Sequence, residues 1–314
     1  MTAPIIATRG LTRRYRGTVA LEDVTLDIEP GVITGLLGRN GAGKTTLMSL
    51  ITAQDRPSAG TVSVNGRDPF EHADIIEQMC FVRDNQRYPD DYKLKHAIRA
   101  AAIFYPNWSQ EVADRLVELF RIPTKPIVKK FSRGQLSALG IVLGLASRSP
   151  ITFFDEPYLG LDATARGIFY DELLRDYAAH PRTIILSTHL IDEMDRLLER
   201  VIVLDQGRVV RHADVDELRG GAYQVAGKAA AVAEFARERR ALSRRTIGGL
   251  GTAVIEGVLG DADRAAAAVG GLEITPVSLQ DLVAAYGLGD LAESAGAADP
   301  ELATVSPLTG RSAS

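Results

Sequence analysis

The segment best equipped for chemistry is Gly38-Arg39-Asn40-Gly41-Ala42-Gly43-Lys44-Thr45-Thr46, which follows the pattern G-x-x-x-x-G-K-[ST]. Its three glycines allow the backbone to fold tightly, so that the N–H groups from Asn40 to Thr46 point inward at phosphate oxygens. Lys44 is placed to reach β- and γ-phosphates, and Thr45 offers a hydroxyl to a magnesium ion. A second candidate lies far along the chain, where Ile151-Thr152-Phe153-Phe154 runs into the acids Asp155 and Glu156. Alone, two acids at a strand end read as a solvated turn. Beside a phosphate loop they read as a carboxylate that orients the metal shell, Asp155, and a general base that polarises water, Glu156.

Such groups act together only if the chain around them brings them to one place. The apolar run Val32–Leu37 before the loop and the helical run Leu47–Thr52 after it supply the required strand-loop-helix context. Apolar strands are expected at Ile151–Phe154, Thr183–Ser187 and Val201–Leu204, with helices over Ala165–Tyr177 and Ile191–Arg200. This alternation specifies a mostly parallel sheet with helices on its faces and ligands at the carboxyl ends of its strands. Near the start, Ile5–Arg9, Val24–Ile28 and Thr61–Val64, punctuated by Pro30–Gly31 and Asn65–Gly66, read as antiparallel strands. Residues 91–149 read as short helices interrupted at Pro106, Pro123 and Pro126, a lobe inserted into the α/β pattern.

Beyond about Asp214, alanine and glycine become frequent. Strands at Tyr223–Ala226, Leu242–Ile247, Thr252–Ile255 and Glu273–Val277, with helices at Ala229–Arg240 and Asp261–Val269, give a β-α-β-β-α-β order, the ferredoxin-like arrangement. From about Leu291 the chain offers little to bury, and a disordered tail is expected.

Composition narrows the function classes. The 314 residues are 46% hydrophobic and 24% charged with a net charge of −4, an ordinary globular balance that gives no general attraction to nucleic acid or anionic lipid. Arg237, Arg239, Arg240, Arg244 and Arg245 cluster, but Glu234 and Glu238 dilute them, so a solvated helix face is the better reading. Cys80 is the sole cysteine, which excludes an internal disulfide and reads as a buried, inert thiol. His72, His96, His180 and His212 show no metal-ligand spacing. No apolar run approaches the roughly 20 residues that span a bilayer, and Met1–Arg9 lacks the pattern of a signal peptide. Work at a membrane would go through a partner.

With these motifs in order, Ile5 to Asp214 resembles the ATP-binding subunits of ABC transporters. Phe131-Ser132-Arg133-Gly134-Gln135 is similar to the family's signature L-S-G-G-Q, with Phe131 and Arg133 replacing leucine and glycine. Ser132 followed by Gln135 is also a capping-box pattern opening an apolar helix, Leu136–Ala146. In the family this helix end touches the γ-phosphate of ATP on a second subunit, so the resemblance gives Ser132, Gly134 and Gln135 a nucleotide contact. Leu159-Gly160-Leu161-Asp162 resembles the loop through which two subunits sense each other. His189, in Leu186-Ser187-Thr188-His189, resembles the switch histidine of the γ-phosphate, and Tyr15 resembles the aromatic that stacks on adenine. Where the family places a glutamine after the strand Met79–Val82, this chain has Asp84, a hard oxygen ligand for magnesium, with Gln86 two residues on as the alternative. Arg83-Asp84-Asn85, Tyr105-Pro106-Asn107-Trp108 and Ser278-Leu279-Gln280-Asp281-Leu282 resemble segments of an exporter-like branch with separately encoded permeases.

The resemblance implies an α/β P-loop NTPase of ABC type over residues 1–214, with the helical lobe at 91–149. A small α+β domain would follow at 215–290, and a tail at 291–314. It implies ATP and Mg2+ as ligands, a homodimer or heterodimer of ATP-binding subunits, and a separate transmembrane permease. The chain would sit in the cytoplasm, peripheral on the inner face of the cell membrane, with no nucleic-acid partner. Two other readings are a non-transport ABC ATPase switch and a catalytically degenerate partner subunit. A single phosphate loop and a short, proline-broken lobe argue against the first, and Glu156 and His189 argue against the second.

Overall fold

The computed structural model describes residues 3–84 and 86–286. The first part contains β1 (Ile6–Tyr15), β2 (Thr18–Ile28), β3 (Ile33–Leu37), α1 (Lys44–Ile51), β4 (Ala59–Val64), α2 (Ala73–Ile76) and β5 (Met79–Val82). The lobe follows as α3 (Leu94–Phe104), α4 (Gln110–Leu119) and α5 (Arg133–Ser147). The chain then returns through β6 (Ile151–Asp155), α6 (Ala163–Ala179), β7 (Thr183–Thr188), α7 (Ile191–Met194), β8 (Arg200–Asp205) and β9 (Arg208–Asp214). The remainder is α8 (Val215–Gly220), β10 (Ala222–Lys228), α9 (Ala229–Phe235), β11 (Ala241–Ile247), β12 (Leu250–Glu256), α10 (Asp261–Val269), β13 (Glu273–Pro276) and α11 (Leu279–Tyr286).

A six-stranded sheet of order β5-β6-β7-β3-β8-β9 forms the centre, parallel throughout except for β9, which runs antiparallel on β8. β3, β6 and β7 are buried along their whole length, as strands covered on both faces must be. Successive residues serve opposite faces. Leu37, Phe154, Ile184 and Leu186 pack with the lobe and α6, while Leu36, Phe153 and Ile185 pack with α1 and the antiparallel sheet β2-β1-β4. Burying each phenylalanine contributes about 1.5–3 kcal/mol. In the lobe, α3 and α4 lie on α5, whose Ser132–Gln135 capping box forms as the sequence pattern predicts. β10 to β13 make a separate antiparallel sheet of order β11-β12-β10-β13, and α11 packs against α7 and α8.

Several elements differ in extent from the sequence reading. β1 and β2 are longer than the β-branched runs suggested, because their polar positions face solvent along an antiparallel pair. The helix expected over Ile191–Arg200 stops at Met194: Glu199 donates its N–H to the Ile33 carbonyl and Arg200 enters β8. The helix from Ala229 ends at Phe235, after which the Ala236 carbonyl accepts from Arg244 and Arg239 reaches Asp263. In the arginine cluster, Arg237, Arg239 and Arg240 pair with Glu234, Asp263 and Glu256. Cys80 is buried within β5, and burial pushes its thiol up. The tail expected at 291–314 and residues 287–290 lie outside the described residues.

Candidate functional site

Parallel pairing sets the site. Leu37 at the end of β3 is level with Thr188 at the end of β7, and Asp155 at the end of β6 is level with Ser187. Three strands therefore deliver the glycine loop, the acids and His189 to one edge of the sheet. The loop leaves β3 at Gly38, whose φ of 144° only glycine adopts freely, and a Cβ there would stand 2.2 Å from the Leu204 carbonyl oxygen. Gly43 caps α1 with φ 104°, and a Cβ there would stand 2.6 Å from the Ala20 carbonyl oxygen.

Lys44 is only 6% exposed. Its ammonium donates to the carbonyls of Gly38 at 2.8 Å and Arg39 at 3.2 Å, and lies 3.6 Å from Glu156 Oε1. The cation is thus held inside the loop, turned toward the acids. Thr45 Oγ1 donates to Asp155 Oδ2 at 2.6 Å, joining the loop to the end of β6. The other Asp155 oxygen accepts from Ser187 Oγ at 2.7 Å, and Ser187 Oγ in turn accepts the Glu156 N–H at 3.0 Å. Glu156 has φ 49°, a left-handed conformation that this contact holds in place. One of its carboxylate oxygens, Oε1, is buried with no hydrogen-bond partner among the described residues. Its other oxygen, Oε2, accepts from the Tyr158 hydroxyl and lies 2.6 Å from His189 Nδ1.

Ser187 and Tyr158 carry no motif of their own in the sequence. Ser187 stands in the strand-end segment quoted for His189, and Tyr158 two residues after Glu156. Each looks like core until the neighbouring strand is in place.

The remaining candidates fall outside this cluster. Tyr15 is 45% exposed, with the Arg13 guanidinium over its ring at 4.6 Å and its hydroxyl donating to Asp55 at 2.6 Å. Although burial alone would raise it, the Asp55 carboxyl is held below its ordinary value by Tyr15, the Arg56 N–H and Arg13. Ser132, Gly134 and Gln135 open α5, and none hydrogen-bonds to the glycine loop among the described residues. A Cβ on Gly134 would stand 2.4 Å from the Gly160 carbonyl oxygen, while Ser137 Oγ donates to the Leu159 carbonyl at 2.5 Å. The start of α5 is therefore locked to the loop that follows the acids. Asp162 is the N-cap of α6, accepting from the Ala165 N–H at 2.8 Å.

Asp84 does not join Thr45 and Asp155. Its carboxylate accepts from Arg133 through both oxygens, at 3.2 and 3.1 Å. Asp84 and Arg133, two departures from the family pattern, are thus paired with each other. The pair is partly exposed, a class worth about 0–1 kcal/mol, so it gives way readily to another partner for either residue.

Among the described residues no helix is long and apolar enough to cross a membrane, and no three His, Cys, Asp or Glu side chains are grouped as a metal site. A metal at Thr45 and Asp155 would therefore take most of its ligands from phosphate and water, as magnesium does.

The family model described as ABC transporter matches residues 21–159. The chain is 29% identical over 215 residues to the ABC transporter ATP-binding protein YtrB of Bacillus subtilis (strain 168), covering 68% of this chain and 74% of that protein. It is 30% identical over 286 residues to the daunorubicin resistance ATP-binding protein DrrA3 of Streptomyces coeruleorubidus, covering 84% and 82%. Among solved structures, an ATP-binding subunit of an ABC transporter superposes with a TM-score of 0.61 at 27% identity, covering 68% of this chain and 92% of that one.

Proposed function

The chain belongs to the ATP-binding subunits of the ABC transporter family, and from this premise we propose that it hydrolyses ATP at the cluster of Lys44, Thr45, Asp155, Glu156 and His189 to drive export through a separately encoded transmembrane permease. The observation that carries the reading is the convergence of a buried lysine, a Thr–Asp pair and an orphaned glutamate oxygen at one sheet edge.

In this mechanism the N–H groups of residues 40–46 and the start of α1 receive the phosphates, and Lys44 exchanges its two carbonyl partners for β- and γ-phosphate oxygens. Thr45 Oγ1 and the Asp155 carboxylate are hard oxygen donors that fit magnesium, which when bound neutralises charge on the phosphate oxygens. Glu156 takes a proton from water as the water oxygen bonds to the γ-phosphorus. The bond from that phosphorus to the bridging oxygen breaks, and its electron pair leaves with ADP. His189 holds the γ-phosphate. Tyr15 offers adenine the part of its ring that Arg13 leaves open.

Ser132, Gly134 and Gln135 of a second subunit, a copy or a relative, close over the nucleotide, with Asp162 in the loop between the two sites. Asp84 or Gln86 serves the contact that the family gives to glutamine. Residues 1–214 act as the ATP-binding domain and the segment from 215 as a small second domain. The subunit works on the inner face of the cell membrane. Removing magnesium with EDTA is expected to lower phosphate release from ATP by about 100-fold or more. Release continuing at the parent rate in EDTA would contradict the metal's part.

A permease would fit where the lobe meets α2 and β5. A cavity of about 340 Å3 is lined by Ile76, Met79, Tyr88, Tyr92, Phe104 and Tyr105 among others. Phe104, which lines it, and the neighbouring Ile103 are 73% and 74% exposed, apolar surface that a partner's cytoplasmic segment would cover. Phe104→Asp is expected to weaken association with a permease encoded beside this chain by at least about tenfold, read by co-purification. Because the side chain is exposed, the melting temperature should stay within about 2 °C of the parent's. Undiminished co-purification would place the permease contact elsewhere.

A further inference from the structure

Tyr158 stands between the acidic pair and the Leu159–Asp162 loop, only 2% exposed. Its hydroxyl meets four groups. Thr188 Oγ1 and the His189 backbone N–H each donate to it at 2.9 Å. These two donors fill both lone pairs of the phenolic oxygen, so its single proton goes to the acceptor in short contact with it, Glu156 Oε2. His189 Nδ1, 3.2 Å from the same hydroxyl, finds no lone pair there, and its proton is directed to Glu156 Oε2 at 2.6 Å. Burial first, and Glu156 second, push the phenol up, so it remains a proton donor.

The result divides the two oxygens of Glu156. Oε2 carries two donors, while Oε1 is buried without a hydrogen-bond partner among the described residues, 3.6 Å from Lys44 Nζ. We propose that Tyr158 is a positioning residue for hydrolysis: its hydroxyl anchors Glu156 through Oε2 to the backbone at His189, leaving Oε1 as the oxygen that takes the proton of the attacking water. The proposal rests on Glu156 being the base. Ring packing alone does not require a tyrosine here, since phenylalanine would fill the same space and keep the edge-on contact with the His189 ring, 5.5 Å between centroids. Only the hydroxyl links the base to the backbone N–H of His189.

The test compares Tyr158→Phe, Glu156→Gln and the double variant in the full-length chain, by steady-state phosphate release from magnesium-ATP. Tyr158→Phe is expected to lower kcat by about 10- to 100-fold while KM for ATP changes less than about threefold. Added to Glu156→Gln, it should change the residual rate by less than about twofold, because the hydroxyl acts through the carboxylate. A parent-like kcat for Tyr158→Phe, or the same fold-loss in both backgrounds, overturns the proposal. Parent-like turnover of Glu156→Gln alone overturns the assignment of the base, and the proposal with it, and shows in that single variant. If Tyr158→Phe does not fold, Thr188→Val removes one donor from the hydroxyl and takes its place. A fall in kcat of about 3- to 10-fold that vanishes in the Glu156→Gln background supports the proposal, and an unchanged kcat overturns it.

Discussion

Lys44→Ala is expected to lower ATP affinity by at least about 100-fold and to bring turnover to background. The side chain is the buried cation of the loop, and Asp155 and Glu156 stand at the same sheet edge. A unit charge about 4 Å from a phosphate oxygen contributes roughly 4 kcal/mol at an effective dielectric of 20. The lysine already sits within the loop, so little ordering entropy offsets this. Without it the phosphates would face two carboxylates with only the N–H groups and magnesium to offset them. Titration calorimetry with ATP reads the loss, and a melting curve of the nucleotide-free variant separates it from unfolding. An affinity within about threefold of the parent's would show that the phosphates bind elsewhere.

Glu156→Gln should act differently, lowering kcat by about 100-fold to 10,000-fold with little change in ATP affinity. The amide keeps the shape of the carboxylate, and its oxygen can still accept from Tyr158 and His189. At the orphaned position it presents an NH2 group that cannot take a proton from water. Loss of rate without loss of binding is the signature of a group used in the transition state. Single-turnover phosphate release with enzyme in excess over ATP measures the chemical step directly. A rate within tenfold of the parent's would assign the base elsewhere.

Legibility in the sequence followed the range of the interactions. The glycine loop, the acids and the Ser132–Gln135 capping box are local patterns, and each lies where its spacing places it. The parallel core was legible too, because strands buried on both faces read as continuous apolar runs. What stayed hidden depends on long-range pairing. Asp84 and Arg133 are 49 residues apart, and nothing local says that these two departures from the family pattern meet. Ser187 and Tyr158 look like interior residues of a strand and a turn. Only the level pairing of β6 with β7 turns Ser187 toward Asp155, and only the return of the chain at His189 brings donors to the Tyr158 hydroxyl. β9 is not legible in the sequence because its burial is partial and its residues, Arg208–Asp214, are mostly polar. The early ends of α7 and α9 were set by bonds to β3, α10 and β11, which helical periodicity does not report.

ATP is expected to close two such subunits on each other, and hydrolysis to part them. The most direct measurement is the mass of full-length Glu156→Gln by light scattering, first alone, then with magnesium-ATP, then with magnesium-ADP. A doubling of mass with ATP is expected, to a homodimer or to a heterodimer with a related subunit if one is supplied, with reversal on ADP. An unchanged mass with ATP stoichiometrically bound, in the presence of any such relative and of the permease, would contradict it.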